Sequence, residues 1–162
     1  MKPGVLALAA FVAACGRGGP PVPCEVDLDG ICFVRDDAAP PASGALDEEE
    51  VRAVVAASAN AWGVPASAIA GWCVIVTSGP IECPTGRYWG CTDWDQSVIR
   101  IFDDGHCALG AFPHEFGHAA AGLRDHDSPV FIEVDWPQSS FLEPILGPRC
   151  RGRGFVSAYP GQ

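Results

Sequence analysis

Residues 112–122 read Phe-Pro-His-Glu-Phe-Gly-His-Ala-Ala-Ala-Gly and contain the pattern His-Glu-x-x-His at His114, Glu115 and His118. On a helix, residues four apart lie on the same face, about one turn from each other. His114 and His118 can therefore direct their imidazoles at one zinc ion, while Glu115 lies beside them as a base for water. Because Pro113 fits only the first turn of a helix, the pattern predicts a short helix that begins close to it.

A catalytic zinc site needs a third protein ligand and leaves one position open for water or substrate. The chain offers three choices after the helix. His126 is favoured because imidazole is the commoner zinc ligand, and Asp125 is the alternative beside it. A distant carboxylate, Glu133 or Glu143, is the remaining choice.

The segment 114–127, with Gly122-Leu-Arg-Asp-His126, resembles the metzincin group of zincin metallopeptidases, in particular snapalysin-like and matrixin-like proteins. The resemblance implies an α+β fold, a small zincin-like domain in which a mixed sheet packs on two helices and one helix carries the metal ligands. It also implies a zinc metalloendopeptidase that acts on a peptide or protein substrate, with Glu115 as the general base.

The chain departs from the metzincin pattern in two places. Gly122 comes one residue later than in that pattern, and the only methionine is Met1, so the methionine turn beneath the metal is absent or replaced. These departures support an alternative function, a non-catalytic surface lipoprotein that uses a zincin-like scaffold for binding.

The clearest local signal elsewhere is a helix predicted from Glu48 to Trp62. Asp47 and Glu50 form a capping box, and acidic residues in the first turn suit the positive end of the helix dipole. Gly63 is expected to end the helix in a left-handed conformation. The face predicted to be buried carries Val51, Val54, Val55, Ser58 and Trp62.

Two strands are predicted after this helix, at residues 72–77 and 97–102. Residues 81–96, between them, are interpreted as an irregular segment that carries cysteines. The strand at 97–102 precedes the motif helix. It is either purely structural or offers an edge that aligns a peptide substrate by backbone pairing.

An apolar run at the start of the chain ends in Val12-Ala13-Ala14-Cys15, which resembles the lipobox of bacterial lipoproteins. That resemblance implies that Cys15 is acylated and anchors the protein in the bacterial cell envelope. Gly16 favours the outer membrane. Three parts are expected: a lipoprotein signal peptide at 1–15, a flexible tether with a small Cys loop at 16–46, and a zincin-like metallopeptidase domain at 47–162.

Eight cysteines in an exported chain predict disulfides. With Cys15 lipidated, seven remain, so at least one thiol has no internal partner. Short separations favour the pairs Cys24–Cys32 and Cys83–Cys91, and Cys107 is a candidate partner for Cys150.

The formal net charge is −10, from 10 Lys and Arg against 20 Asp and Glu. Such a surface repels nucleic-acid phosphates, and no basic patch is visible. We therefore expect no nucleic-acid partner, and a monomer anchored at the membrane through its N-terminal lipid.

Overall fold

A computed structural model describes residues 14–15, 22–36, 45–79, 81–83, 86–103, 109–124 and 126. This part of the chain is α+β and contains a mixed five-stranded sheet and two α-helices. The strands are β1 (Ala14–Cys15), β2 (Val22–Pro23), β3 (Val26–Leu28), β4 (Ile31–Arg35), β5 (Cys73–Thr77), β6 (Ile81–Cys83), β7 (Gly86–Tyr88), β8 (Gly90–Asp93) and β9 (Val98–Phe102). The helices are α1 (Glu48–Trp62), a 3-10 helix (Ala66–Ile69) and α2 (Phe112–Ala121).

The sheet has the strand order β3-β4-β5-β9-β8. Its three central strands are parallel, with Cys32 opposite Cys73 and Cys73 opposite Val98, whereas β3 and β8 run antiparallel to their neighbours. Parallel strands need a crossover between them, and α1 lies in the chain between β4 and β5. Among the described strands, β8 is one edge of the sheet and runs antiparallel to β9.

The main core lies between one face of the sheet and the two α-helices. Alternate residues of each strand point to this face, because successive side chains of a strand point to opposite sides. The buried members from the sheet are Val26, Leu28, Ile31, Phe33, Val74, Val76, Ile99 and Ile101. Phe112 and Phe116 of α2 complete this core, and Phe112 contacts the ring of Phe33 at 5.5 Å between centroids.

Helix α1 confirms the sequence prediction at both ends. The Asp47 side chain accepts a hydrogen bond from the Glu50 backbone N–H at 2.9 Å, and Gly63 ends the helix with φ of 65°. The buried face is the predicted one: Val51, Val54, Val55, Ser58 and Trp62. Ser58 is tolerated there because its hydroxyl donates to the Val54 carbonyl at 2.7 Å.

Two segments that the sequence analysis left out of the sheet contribute strands to it. Residues 26–35, assigned above to the tether with its small Cys loop, form β3 and β4. The segment at 81–96, interpreted as irregular, supplies β8, whereas its strands β6 and β7 pair as a separate two-stranded sheet. Strand β4 buries four consecutive residues, Ile31–Val34, because both of its faces are covered. Strands β3 and β4 pair with each other through a turn at Asp29 and Gly30, both at positive φ, so the Asp-Gly turn was the local signal for this hairpin. The pairing of β4 with β5 has no such signal nearby.

The strand at 98–102 is also not an edge of the sheet. Strand β9 pairs with β5 on one side and with β8 on the other, so its backbone is used on both sides. Of the two roles left open for this segment, the structural one applies. The neighbouring edge is β8, whose Gly90–Asp93 backbone pairs with β9 alone among the described strands.

The described part of the chain contains three disulfides, Cys15–Cys73, Cys24–Cys32 and Cys83–Cys91, and leaves none of its cysteines free. The last two are the predicted local pairs. Cys107 and Cys150 lie outside the described residues, as does the predicted leader up to residue 13. No helix in the described ranges is both long and apolar enough to cross a lipid bilayer.

The pairing of Cys15 bears on the expected lipid anchor. Cys15 is 4% exposed and packs with Cys32 and Val34 on the sheet face opposite the helices. A sulfur bonded to Cys73 cannot also carry a thioether-linked lipid. Acylation and this disulfide are therefore alternative fates of one atom.

We expect the Cys15–Cys73 disulfide to stabilise the fold more than Cys24–Cys32 does. The sequence separations are 58 and 8 residues, so loop closure predicts losses of about 4 and about 2.5 kcal/mol on removal. Urea denaturation of the Cys15→Ser/Cys73→Ser and Cys24→Ser/Cys32→Ser double variants measures both losses. Non-reducing peptide mapping is the control. A lipidated Cys15, or a Cys73 that alkylates without reduction, would contradict the pairing.

Candidate metal centre

Helix α2 carries the His-Glu-x-x-His residues and begins and ends as its sequence dictates. Pro113 lies in the first turn, where its missing N–H costs nothing, and no side chain caps the helix. Gly122 follows the last turn with φ of 68°, a left-handed conformation that glycine adopts without strain. The chain turns there, and this turn brings His126 back toward the helix.

Three imidazoles converge at this turn. The Nε2 atoms of His114 and His118 lie 3.2 Å apart, those of His118 and His126 lie 3.2 Å apart, and those of His126 and His114 lie 3.1 Å apart. His118 is buried, whereas His114 and His126 are partly exposed. The three nitrogens thus form a nearly equilateral triangle between one buried and two partly exposed side chains.

The triangle matches the donor set of a tetrahedral zinc site. Zinc–nitrogen bonds of about 2.0–2.1 Å give a tetrahedron with edges of roughly 3.3 Å, close to the three observed separations. Three nitrogens leave the fourth position of such a tetrahedron for water or substrate. Neutral imidazole is also the commonest nitrogen ligand of zinc in proteins. The residues present therefore fit this metal.

A hydrogen bond to the loop orients the His118 ring. His118 Nδ1 lies 2.5 Å from the Leu123 carbonyl oxygen, which can only accept, so this contact requires a proton on Nδ1. In the neutral ring, Nε2 is then the nitrogen with a lone pair directed into the triangle. Backbone carbonyls commonly fix metal-binding histidines in this way.

Glu115 lies beside the histidines and is 5% exposed. Thr92 Oγ1 donates a hydrogen bond to Glu115 Oε2 at 2.7 Å and is 3.2 Å from the Glu115 carbonyl oxygen. Gly90, two residues earlier on β8, leaves the space for this side chain. A Cβ at position 90 would lie 2.6 Å from Glu115 Cγ and 2.8 Å from Cδ.

The back of α2 is fixed against α1 by a tryptophan. Trp62 Nε1–H donates to the Pro113 carbonyl oxygen at 2.9 Å, and its ring occupies the space beside Gly117. A Cβ at position 117 would overlap the indole. Of the three indole atoms nearest to it, even the farthest, Cη2, would be only 2.6 Å away. Gly117, between His114 and His118 in sequence, is therefore needed for the packing of α2 against Trp62.

We expect Gly117→Ala to lower the unfolding free energy by about 1–3 kcal/mol, because overpacking displaces the indole. In a helix interior without such a clash, alanine is more favourable than glycine by about 1 kcal/mol. A decrease in the unfolding free energy would therefore be opposite in sign to the effect of helix propensity. Urea denaturation measures the change. The matched control is Trp62→Leu/Gly117→Ala, in which the smaller side chain should absorb the added methyl group. A Gly117→Ala variant as stable as the wild type would contradict this packing.

A second tryptophan lies on the other side of the site. Trp94 contacts the His118 ring edge-on, with 6.1 Å between the ring centroids, and the Arg124 guanidinium lies 5.2 Å over the Trp94 ring. Arg124 precedes His126 by two residues, so this cation–π contact connects the loop after α2 to the turn between β8 and β9. The Trp94 Nε1–H is buried and has no hydrogen-bond partner among the residues described.

The structure brings together three of the residues singled out in the sequence, namely His114, His118 and His126, and Glu115 follows His114 on the same helix. Asp125, Glu133 and Glu143, the alternative third ligands, lie outside the described residues. Sequence reasoning missed Gly90, Thr92 and Trp94. Gly90 and Thr92 alternate along β8 and Trp94 follows it in the turn, but residues 81–96 were interpreted as irregular.

Comparisons with known proteins add nothing to this geometry. No protein-family model, no curated protein and no solved structure matches the chain. The metzincin resemblance therefore stays a resemblance of a short motif. Any functional inference has to come from the arrangement of the residues themselves.

Proposed function

We propose that this protein is a zinc-dependent peptidase in which His114, His118 and His126 hold the metal and Glu115 is the general base. The observation that carries the proposal is the triangle of three Nε2 atoms 3.1–3.2 Å apart, with a buried carboxylate on the adjacent residue of the same helix. Three protein ligands with an open fourth position are typical of catalytic rather than structural zinc.

The proposed reaction is hydrolysis of an amide bond. Bound zinc supplies Lewis-acid activation of the water and of the scissile carbonyl. Glu115 accepts a proton as the water oxygen attacks the carbonyl carbon, and delivers it to the leaving nitrogen when the C–N bond breaks. The products are a carboxylic acid and an amine, and Glu115 returns to its carboxylate form.

Strand β8 supports a peptide as the substrate class. Its backbone is an edge of the sheet within the described residues, and its Gly90 and Thr92 lie against Glu115. An extended peptide that pairs with this edge would therefore pass close to the base. Strand addition of this kind uses backbone hydrogen bonds and so tolerates many side chains.

Metal content and turnover of the purified protein test the proposal. We expect one zinc per chain by elemental mass spectrometry, and hydrolysis of casein or gelatin that a chelator abolishes and added zinc restores. The His114→Ala/His118→Ala variant, purified in parallel, controls for a contaminating peptidase.

The possible outcomes separate the two candidate functions. Zinc binding with chelator-sensitive hydrolysis supports the peptidase. Stoichiometric zinc without hydrolysis of any protein substrate would overturn it in favour of a binding protein that uses the same scaffold. Absence of zinc at micromolar concentrations would overturn the metal site itself.

A further inference from the structure

The inner face of strand β8 is built around the Glu115 side chain. Gly90 and Thr92 are two residues apart and so lie on the same face of the strand. The first leaves room for the carboxylate and the second donates a hydrogen bond to it. Strand β8 thus supplies both the space and a hydrogen bond for this carboxylate.

The Thr92 hydroxyl has one proton to donate and two acceptors within reach. Glu115 Oε2 is at 2.7 Å and the Glu115 carbonyl oxygen is at 3.2 Å. The shorter bond, to the charged acceptor, is the stronger of the two. It holds one carboxylate oxygen toward the sheet.

The burial of Glu115 increases the importance of its hydrogen bond with Thr92. A carboxylate that is 5% exposed has little access to water and depends on protein partners for its orientation. A glutamate side chain has three rotatable bonds, and a general base must be within hydrogen-bond reach of the proton that it accepts. A carboxylate that is already oriented before substrate binds loses less conformational entropy in the transition state, which lowers the barrier.

We propose that Thr92 is a positioning residue that orients Glu115 for proton transfer, and that the substrate-binding edge strand thereby also sets the geometry of the base. This inference rests on the proposed peptidase function. Thr92 acts through Glu115 and contacts neither the three histidines nor the scissile bond in this role. Its effect should therefore appear in kcat rather than in zinc affinity.

The test compares Thr92→Val, which keeps the shape and loses the hydroxyl, with Thr92→Ser, which keeps the hydroxyl. With a casein-derived peptide, we expect Thr92→Val to lower kcat by about 10- to 100-fold, part of the roughly 10²–10⁴-fold that general-base catalysis supplies. KM and zinc affinity should stay within about twofold of the wild type. Thr92→Ser should recover kcat to within about threefold.

A double variant shows whether Thr92 acts through the base. In a Glu115→Gln background, Thr92→Val should lower kcat by less than about twofold, because the base it orients is gone. In urea denaturation, Thr92→Val and Glu115→Ala should be non-additive by about tenfold in the unfolding equilibrium constant, since each removes one partner of the same hydrogen bond.

Failure of the inference can be told from failure of the proposed function. Hydrolysis by the wild type together with an unchanged kcat in Thr92→Val overturns the positioning role alone. Equal losses in Thr92→Val and Thr92→Ser, or a full additional loss in the Glu115→Gln background, also overturn it. A wild type that binds zinc and hydrolyses nothing overturns the peptidase and the positioning role together, whatever coupling denaturation shows.

Discussion

Glu115→Gln is expected to keep one zinc per chain and to lower kcat by about 10²–10⁴-fold, because it removes the base and leaves all three histidines in place. The amide has the shape of the carboxylate, and its oxygen can still accept the Thr92 hydrogen bond that holds the native side chain. Steady-state hydrolysis of a peptide, with zinc quantified on the same sample, measures both properties.

The matched control for Glu115→Gln is Glu49→Gln. Glu49 is an exposed glutamate in the first turn of α1, so its change alters the net charge equally and touches no part of the site. It should retain wild-type turnover. Turnover by Glu115→Gln within a few-fold of the wild type would remove Glu115 from the mechanism, even if zinc is bound.

Local signals were sufficient to predict the helices. Asp47 and Gly63 terminate α1 through hydrogen bonds and a left-handed φ that depend on neighbouring residues only. Gly122 and Pro113 act in the same way on α2. The proximity of His114 and His118 was predictable for the same reason, because residues four apart on a helix lie on the same face.

Long-range pairing was beyond the reach of the sequence. Strand β4 lies between β3 and β5, and its ladder partner Cys73 is about forty residues further along the chain, so nothing near Ile31–Arg35 indicates that pairing. The same holds for the site. Thr92 and Glu115 are 23 residues apart, and their contact exists only because β8 folds back on β9.

The position of His126 illustrates an intermediate case. Its separation from His118 in sequence is short, but the helix ends at Gly122 and helical spacing does not apply beyond it. The spacing alone therefore did not distinguish His126 from Asp125 as the third ligand. The left-handed turn at Gly122 and the bond from His118 Nδ1 to the Leu123 carbonyl set the course of the loop. These backbone features place His126 Nε2 in the triangle.

Replacing the histidines one at a time is expected to have the largest effect on metal binding. His114→Ala or His118→Ala should lower zinc affinity by on the order of 10²–10³-fold or more, because roughly 10–16 kcal/mol is shared among four ligands in structural zinc sites. Isothermal titration with zinc, or competition against a chromophoric chelator, measures the change.

The loop variants decide the third ligand. His126→Ala should weaken zinc binding to the same extent as the helix variants, because its Nε2 atom lies 3.1–3.2 Å from both other donors. Asp125→Ala is the matched control, a neighbouring loop residue and the alternative ligand, and it should change affinity by less than about tenfold, as expected for a supporting contact. The reverse order would assign the metal to Asp125 in place of His126. Insensitivity to both changes would point to a distant carboxylate, Glu133 or Glu143, and the triangle of imidazoles would then not be the zinc site.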